Sequence, residues 1–199
     1  MLAYIKGTLE MKMTGYIVID VGGLGYKVFM SESGIDKLGN IGETVKVHTY
    51  YKVREDDISI FGFNSLEELR MFELLISVSG IGAKTAIAML SNITPSKFAL
   101  AIISNDLKTL TKIPGIGNKS AQRMVLELKD KLKTETAIEG SDEEVLVQQN
   151  NNESISEAGQ ALQILGYNKG EIAKVFDKIE THNLTTEELI KEALKHLAR

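Results

Sequence analysis

A short glycine-containing unit occurs twice in the middle of the chain, and it constrains the fold more than any other feature of the sequence. Gly80-Ile81-Gly82 and Gly115-Ile116-Gly117 lie 35 positions apart, and apolar residues at helical spacing surround each unit. Glycine permits the positive φ and the close backbone approach that a tight turn between two helices requires. The isoleucine fills the space between those helices. We therefore predict two consecutive helix–turn–helix hairpins.

The residues that follow each unit indicate an anionic ligand. A lysine stands two positions after the second glycine in both copies, and a hydroxyl side chain follows it. A helix N-terminus presents unpaired N–H groups and the positive end of the helix dipole, and both attract phosphate. Two such hairpins can hold both strands of a duplex through backbone contacts, which carry little sequence information. The predicted DNA-binding residues are Gly80, Gly82, Lys84, Thr85, Gly115, Gly117, Lys119 and Ser120, with Arg123 and Lys129 on the helix after the second unit.

The charge distribution along the chain favours this interpretation. The whole chain has a net charge of −4 and a pI of about 5.5. Residues 63–134 nevertheless carry ten lysines and arginines against six acidic residues. The rest of the chain, residues 1–62, 135–152 and 153–199, has more acidic than basic residues in each segment. An anionic partner is therefore expected at this block. One unit alone is equally well explained as a structural turn, whereas two copies with matched lysines in the only basic block favour DNA binding.

Several other chemistries are excluded by the sequence. Neither unit is a nucleotide-hydrolase phosphate loop, because Ala83 or Asn118 precedes the lysine and the required earlier glycine is absent. Neither completes a dinucleotide-binding fingerprint. The chain has no cysteine, which excludes thiol nucleophiles and cysteine-ligated metals, and its three histidines are too widely separated for a histidine-rich metal site. No nucleotide-hydrolysis motif is present, and we expect no cofactor. No signal-peptide pattern or long apolar run is present, which predicts a soluble, cytoplasmic protein without a membrane partner.

The composition predicts a multidomain chain that is β at its N-terminus and all-α afterwards. Residues 1–62 contain five short strand-like runs, which predict a closed five-stranded barrel of the OB type, with an SH3-like barrel as the alternative. Residues 63–134 form the predicted tandem helix-hairpin-helix domain. Residues 135–152 contain five acidic residues and no basic one, as is typical of a flexible linker. Residues 153–199 predict a three-helix bundle that moves independently of the rest.

Capping patterns set the expected helix boundaries. Ser65 with Glu68 predicts a helix start, Gly166 a helix end, and Thr185 with Glu188 the start of the last helix. Beyond the helix that follows Ser65, the predicted helices cover residues 84–91, 95–104, 106–112, 118–133, 154–165, 169–180 and 185–197.

The segment Arg54-Glu55-Asp56-Asp57 places three carboxylates at a predicted hairpin tip. Taken alone, it is best explained as a solvated turn. A divalent-cation site is a rival explanation, although no further convergent ligands are visible in the sequence.

The sequence closely resembles the RuvA family, the Holliday-junction-binding subunits of bacterial branch-migration complexes. The resemblance covers the whole chain. It is carried by MLAYIKGTL at the start, VGGLGYKV, VREDDISIFGF, the two Gly-Ile-Gly units and Leu165-Gly166-Tyr167. Asn118 departs from the pattern, since the family often has a basic residue there, and this makes the second hairpin less cationic.

The resemblance implies a non-catalytic DNA-binding subunit in recombination, DNA repair and the SOS response. The barrel and hairpin domains would form a fourfold homotetramer, or an octamer on DNA, that holds an open four-way junction. Glu55 and Asp56 match the family's acidic pin at the crossover. The C-terminal, UBA-like bundle would bind the hexameric ATPase RuvB, with Leu162, Leu165 and Tyr167 as the expected contact patch. Ordinary core packing is the alternative for these residues and is expected of at least one of them. A junction resolvase is a further implied partner. A structure-specific nuclease using residues 55–57, and a protein-interaction adaptor, are the competing functions.

Overall fold

A computed structural model describes residues 2–55, 57–138, 152–181 and 184–197. Five strands at the N-terminus close into a barrel in the order β1-β2-β3-β5-β4. All neighbouring strands are antiparallel except β3 and β5, which run parallel and are joined at Phe29 and Phe61. This order confirms the OB-type barrel and not the SH3-like alternative. The strands are β1 (Tyr4–Met13), β2 (Tyr16–Val21), β3 (Leu24–Phe29), β4 (Thr44–Val53) and β5 (Ile58–Phe63).

A short helix, α1 (Glu32–Asp36), connects β3 to β4 and was not predicted. The Ser31 hydroxyl accepts a hydrogen bond from the Gly34 amide and so caps its N-terminus. The barrel interior is filled by buried aliphatic side chains that alternate along the strands with outward-facing residues. They include Leu9, Ile17, Ile19 and Val47, none of which is exposed to solvent.

Helical structure begins immediately after β5. The helices are α2 (Leu66–Ile76), α3 (Ala83–Asn92), α4 (Pro95–Ile103), α5 (Leu107–Thr111), α6 (Asn118–Ile138), α7 (Asn152–Ile164), α8 (Lys169–Phe176) and α9 (Thr186–Leu197). Among these described residues, no single helix is long and apolar enough to cross a bilayer.

The predicted helix starts agree with the capping contacts. Ser65 accepts a hydrogen bond from the Glu68 amide, and Thr94 caps α4 with Pro95 in its first turn. Thr185 and Glu188 bond reciprocally at the start of α9. Two helix ends differ from the predicted ones by more than two residues: α8 stops at Phe176, and α6 continues to Ile138, into the predicted linker. The rest of that linker, residues 139–151, lies outside the described residues.

The C-terminal helices pack on the helical domain, and this contradicts the expectation of an independently moving bundle. Helices α7 and α9 lie against α4, and one apolar core runs continuously through both groups of helices. The guanidinium of Arg70, on α2, lies 4.0 Å from the ring centroid of Tyr167, which follows α7. The apolar surfaces of α4 and α7 are complementary, a property that composition alone does not reveal.

Candidate nucleic-acid interface

The two Gly-Ile-Gly units form turns with the same backbone hydrogen bonds. The Ile81 amide donates to the Val78 carbonyl, and 35 residues later the Ile116 amide donates to the Ile113 carbonyl, at 3.1 Å in both cases. The Gly82 and Gly117 carbonyls each accept the first helical bond of the next helix at 2.9 Å. The first hairpin is therefore α2–turn–α3 and the second is α5–turn–α6, as predicted.

The two glycines of each turn have different conformations. Gly80 and Gly115 have φ angles of +87° and +86°, a region that residues with a Cβ rarely adopt. Gly82 has φ −92° and ψ 168° at the N-cap of α3, so its conformation is available to any residue. No atom lies within 4 Å of where a Cβ would stand at Gly82 or Gly117. Both second glycines therefore leave the backbone open to an approaching ligand.

Each turn combines a buried anchor with an exposed cation. Ile81 and Ile116 are 7% and 5% exposed, and they hold the turns against the helical core. Lys84 and Lys119 are exposed on the first turns of α3 and α6. In the described parts of the chain neither ammonium group has an ion-pair partner. Their charges are therefore not neutralised locally and remain available to an external anion.

The accompanying hydroxyl side chains lie next to these lysines. Thr85 is half-buried and Ser120 is exposed. The Gly82 N-cap makes no side-chain capping bond, so the first amides of α3 retain their capacity to donate. At the first turn, open amides, a helix dipole and a lysine without an ion-pair partner among the described residues make an arrangement that can bind phosphate. The second turn has the same backbone hydrogen bonds and a lysine in the equivalent position.

Arg123 contacts the first hairpin although it lies on the second. Its Nη1 donates to the Ser79 carbonyl at 3.3 Å, and its Nε lies 4.0 Å from the Glu127 carboxylate. The same carboxylate accepts a hydrogen bond from the Ser79 amide at 3.0 Å. Arg123 and Glu127 thus connect α6 to the turn of the first hairpin and set the spacing of the two turns. Glu127 was missed by sequence reasoning; its only signal is the i, i+4 spacing from Arg123.

Lys129 serves a structural function that its sequence position does not indicate. Its Nζ donates to the Ile103 carbonyl at 2.7 Å and to the Asn105 side chain at 3.0 Å. A cation at the last carbonyls of a helix is stabilised by the helix dipole, and Lys129 meets the end of α4 in this way. Asn105 itself has a φ of +54°. Lys129 therefore links α6 to the end of α4, and its ammonium is already bonded within the protein.

The predicted acidic pin lies between β4 and β5. The Arg54 amide donates to the Asp57 carbonyl at 2.8 Å and closes the hairpin tip. Glu55 is exposed, and Asp56 lies outside the described residues. The Asp57 carboxylate accepts a hydrogen bond from Ser59 at 2.7 Å.

The expected contact patch of the C-terminal bundle is not on the surface. Leu162 and Leu165 have no exposed area, and Tyr167 is 4% exposed. The reason is local: the Tyr167 amide donates to the Leu162 carbonyl, and the Gly166 amide donates to the Gln163 carbonyl. This pair of hydrogen bonds is a Schellman motif. The motif characteristically packs the side chain after the glycine, here Tyr167, against the side chain of Leu162 in the last turn of the helix.

The surroundings of Tyr167 also affect its ionisation. Burial, followed by the nearby Glu67 carboxylate, raises the pKa of Tyr167 to about 12. Arg70 opposes this shift, and its Nη1 is buried without a hydrogen-bond partner among the described residues. Tyr167 therefore belongs to the contact between the bundle and α2, and the prediction of an exposed patch was wrong for this arrangement.

Two hairpins with matched open turns, placed after an OB-type barrel, define a tandem helix-hairpin-helix protein. Residues 1–62 match the family model described as RuvA N terminal domain. Residues 72–130 match the SAM-like helix-hairpin-helix tandem, and residues 154–198 match the RuvA C-terminal domain.

Full-length relatives extend this similarity. The chain is 49% identical to a Holliday junction branch migration complex subunit RuvA from Acetivibrio thermocellus, over 100% of both chains. It is 46% identical to the protein of that name from Ruminiclostridium cellulolyticum, over 99% of this chain and 100% of the relative. A relative from Clostridium botulinum is 42% identical, again over 100% of both. The chain belongs to the RuvA family, as its sequence motifs predicted.

Proposed function

We propose that this chain is the DNA-structure-recognition subunit of a branch-migration complex. It binds four-way junctions and brings a separate hexameric ATPase of the RuvB type to them; it is not itself an enzyme. The observation that carries the proposal is the pair of turns with the same backbone bonding, each followed by an exposed lysine that forms no ion pair within the described residues. The name of the relatives, Holliday junction branch migration complex subunit, supports it.

The hairpins act on the DNA backbone. The amides at Gly82 and Gly117 and the ammonium groups of Lys84 and Lys119 contact phosphates, with Thr85 and Ser120 as further donors. Gly80 and Gly115 shape the turns, and Arg123 positions the first turn through Ser79. Such contacts are independent of base sequence, which suits a protein that must hold DNA while its sequence moves past.

The tip between β4 and β5 acts at the crossover. Carboxylates of Glu55 and Asp56, repeated by symmetry, would repel phosphates and keep the exchanging strands apart. Replacing both residues by their amides removes the charge and keeps the shape. We expect junction affinity to hold or rise and the preference for junction over linear duplex to fall. A loss of Mg²⁺-dependent cleavage in that variant would favour the metal-site alternative instead.

Assembly into a homotetramer is part of the proposal. The barrel exposes large apolar side chains at 60–64% of their area, an arrangement suited to contacts between copies of the chain. They are Leu24, Ile41, Val53 and Ile58.

Four further features of the proposal rest on membership of the family alone. They are an octamer on DNA, a junction resolvase as partner, a cytoplasmic location and a place in the SOS response.

The C-terminal bundle is proposed to recruit the ATPase. Because Leu162, Leu165 and Tyr167 are buried, the proposal assigns recruitment to the bundle as a whole and not to these three side chains. A chain ending after Lys133 retains both hairpins but loses the apolar contacts of α7 and α9 with α4. Once circular dichroism shows that this chain keeps its helical fold, it should bind junctions. Without the bundle it should not support branch migration when the ATPase and ATP are added. Migration by the truncated chain would contradict the assignment.

The direct test compares four-way junction with linear duplex of the same sequence in a gel-shift titration. We expect tighter binding to the junction and no cleavage of either DNA in Mg²⁺. Cleavage without a partner would favour the nuclease alternative, and no binding at low salt would favour the adaptor.

Salt dependence tests the phosphate contacts. Each neutralised phosphate contributes about −0.9 to the slope of log K against log salt for duplex DNA. The Lys84→Ala, Lys119→Ala double variant should weaken binding and flatten that slope by about 1.8 for each subunit that contacts the DNA, or about 7 for a homotetramer with all four subunits bound. Lys97→Ala, an exposed lysine on α4 away from both turns, is the matched control and should leave the slope unchanged. An unaltered slope in the double variant would reject the hairpin assignment.

A further inference from the structure

A cleft of about 620 Å³ lies between the barrel and the first hairpin turn. Its volume is in the range of small-molecule binding sites. The cleft forms where the barrel closes, because β3 and β5 are paired at the single position Phe29–Phe61. Gly82 and Lys84 of the first hairpin form its opposite wall. The proposed phosphate site and this cleft are therefore continuous.

Two aromatic rings line the barrel side of the cleft. The ring centroids of Phe29 and Phe61 are 5.8 Å apart, with an angle of 36° between the ring planes. Phe61 is buried and is supported from behind by Phe72 at 5.3 Å, whereas Phe29 is half-buried. Phe29 is therefore the more accessible of the two rings. The ammonium of Lys27, an exposed and flexible side chain, lies 5.0 Å from the Phe29 ring centroid, so it must move aside when a base stacks on that face.

The polar lining is mostly cationic. Lys52, Arg54 and Lys84 face the cleft together with one carboxylate, that of Asp57, which already accepts the Ser59 hydrogen bond. Within the described residues these three cations form no ion pair. An aromatic surface beside several cations matches a ligand that has both a flat ring and a negative charge.

We infer that this cleft is a subsite for one unpaired nucleotide, with its base against Phe29 and its phosphate near Lys84 and the Gly82 amide. A base inside a duplex has both faces stacked and cannot reach the ring, so only an unpaired base fits. The inference rests on the proposed function, because strand exchange at a junction opens base pairs at the crossover. It adds to that function a base-contacting site that the phosphate contacts do not require.

The test uses the full chain and three junctions that differ at one crossover position. That position is a paired nucleotide, an unpaired nucleotide or an unpaired abasic sugar-phosphate. Stacking of one base on an aromatic side chain predicts roughly 5- to 100-fold tighter binding of the unpaired nucleotide than of the abasic site. Equal affinities for these two would overturn the inference.

Variants assign the effect to the cleft. Phe29→Leu keeps an apolar side chain and removes the aromatic ring, so it should abolish the preference for the base. Phe29→Tyr restores a ring and should restore the preference. Lys52→Ala should weaken both unpaired junctions equally, because it removes charge and not stacking. Lys46→Ala, on the same strand but packed over Tyr4 outside the cleft, is the matched control and should change neither.

A second measurement does not depend on any variant folding. With 5-iodouracil as the unpaired base, irradiation of the wild-type complex should crosslink the DNA to the peptide that contains Phe29. A crosslink only elsewhere in the chain would overturn the inference. Failure of the proposed function would give a different result from failure of this inference. In that case the wild-type protein would bind the fully paired junction no better than linear duplex.

Discussion

We expect alanine to have different effects at the two glycines of the first hairpin turn. At Gly80 it should lower the stability of the fold, and at Gly82 it should weaken DNA binding. Gly80 has a φ of +87°, and an alanine Cβ there would meet only the Arg123 guanidinium at an ordinary 3.7 Å. The cost of Gly80→Ala is therefore conformational and not steric. A positive φ costs a residue with a Cβ about 1–2 kcal/mol, so the free energy of unfolding should fall by about that amount.

Gly82→Ala should leave the stability of the fold almost unchanged and weaken binding to the junction. Its φ of −92° suits alanine, and nothing lies within 4 Å of the added Cβ. The small loss of N-cap preference is offset by the lower entropy of the unfolded chain, so stability should change by less than about 0.5 kcal/mol. The new methyl group, however, stands where a phosphate approaches the amides. Loss of one charged hydrogen bond weakens junction binding by about tenfold or more.

Urea unfolding and junction gel-shift on the same two proteins measure both quantities. Gly80→Asn is the control for conformation, since asparagine tolerates positive φ better than alanine and should recover part of the lost stability. The second turn provides a repeat of the experiment, because Gly115 has φ +86° with open space around it. Wild-type junction affinity in Gly82→Ala would refute the phosphate site, and unchanged stability in Gly80→Ala would refute the conformational argument.

Three further outcomes follow from the helical domain. In the folded protein the Tyr167 hydroxyl has a pKa of about 12, whereas in the unfolded chain it loses its proton near pH 10. Its contribution to the free energy of unfolding is therefore fully present below pH 10. Between pH 9 and 11 the free energy of unfolding should therefore fall by about 1–1.5 kcal/mol, and urea unfolding of Tyr167→Phe should lack this decrease. Lys129→Met should cost about 1–2 kcal/mol of unfolding free energy at pH 7, because it leaves the Ile103 carbonyl unpaired. Glu127→Ala frees the Ser79 amide and should speed its hydrogen exchange, as measured by NMR, while exchange in the barrel stays unchanged.

The sequence predicts the hairpin turns because their constraint is local. A positive φ at Gly80 and Gly115 and a buried isoleucine between two glycines follow from a few adjacent residues. The N-terminal caps at Ser65 and Thr185 are equally local, and both were predicted from the spacing of the capping residues.

What sequence could not predict depends on residues that meet from distant positions. Lys129 carries a charge on an amphipathic helix, and only the position of α4 shows that the charge meets the end of another helix. Burial of Tyr167 likewise depends on Arg70, nearly a hundred residues earlier. The extension of α6 was missed because an acidic composition was interpreted as linker, although residues 134–138 contain neither glycine nor proline to end a helix.

The contact between Arg123, Glu127 and Ser79 explains how two weak sites can act as one. A single helix-hairpin-helix turn has few contacts with DNA, and its affinity is correspondingly low. Two turns held at a fixed separation bind together, since the second phosphate contact becomes intramolecular once the first has formed. Because Arg123 and Glu127 extend from the second hairpin and bond the turn of the first, the spacing is built into the domain before DNA arrives. Replacing Arg123 or Glu127 by alanine should therefore weaken junction binding. This holds even for Glu127, whose negative charge prevents it from contacting a phosphate.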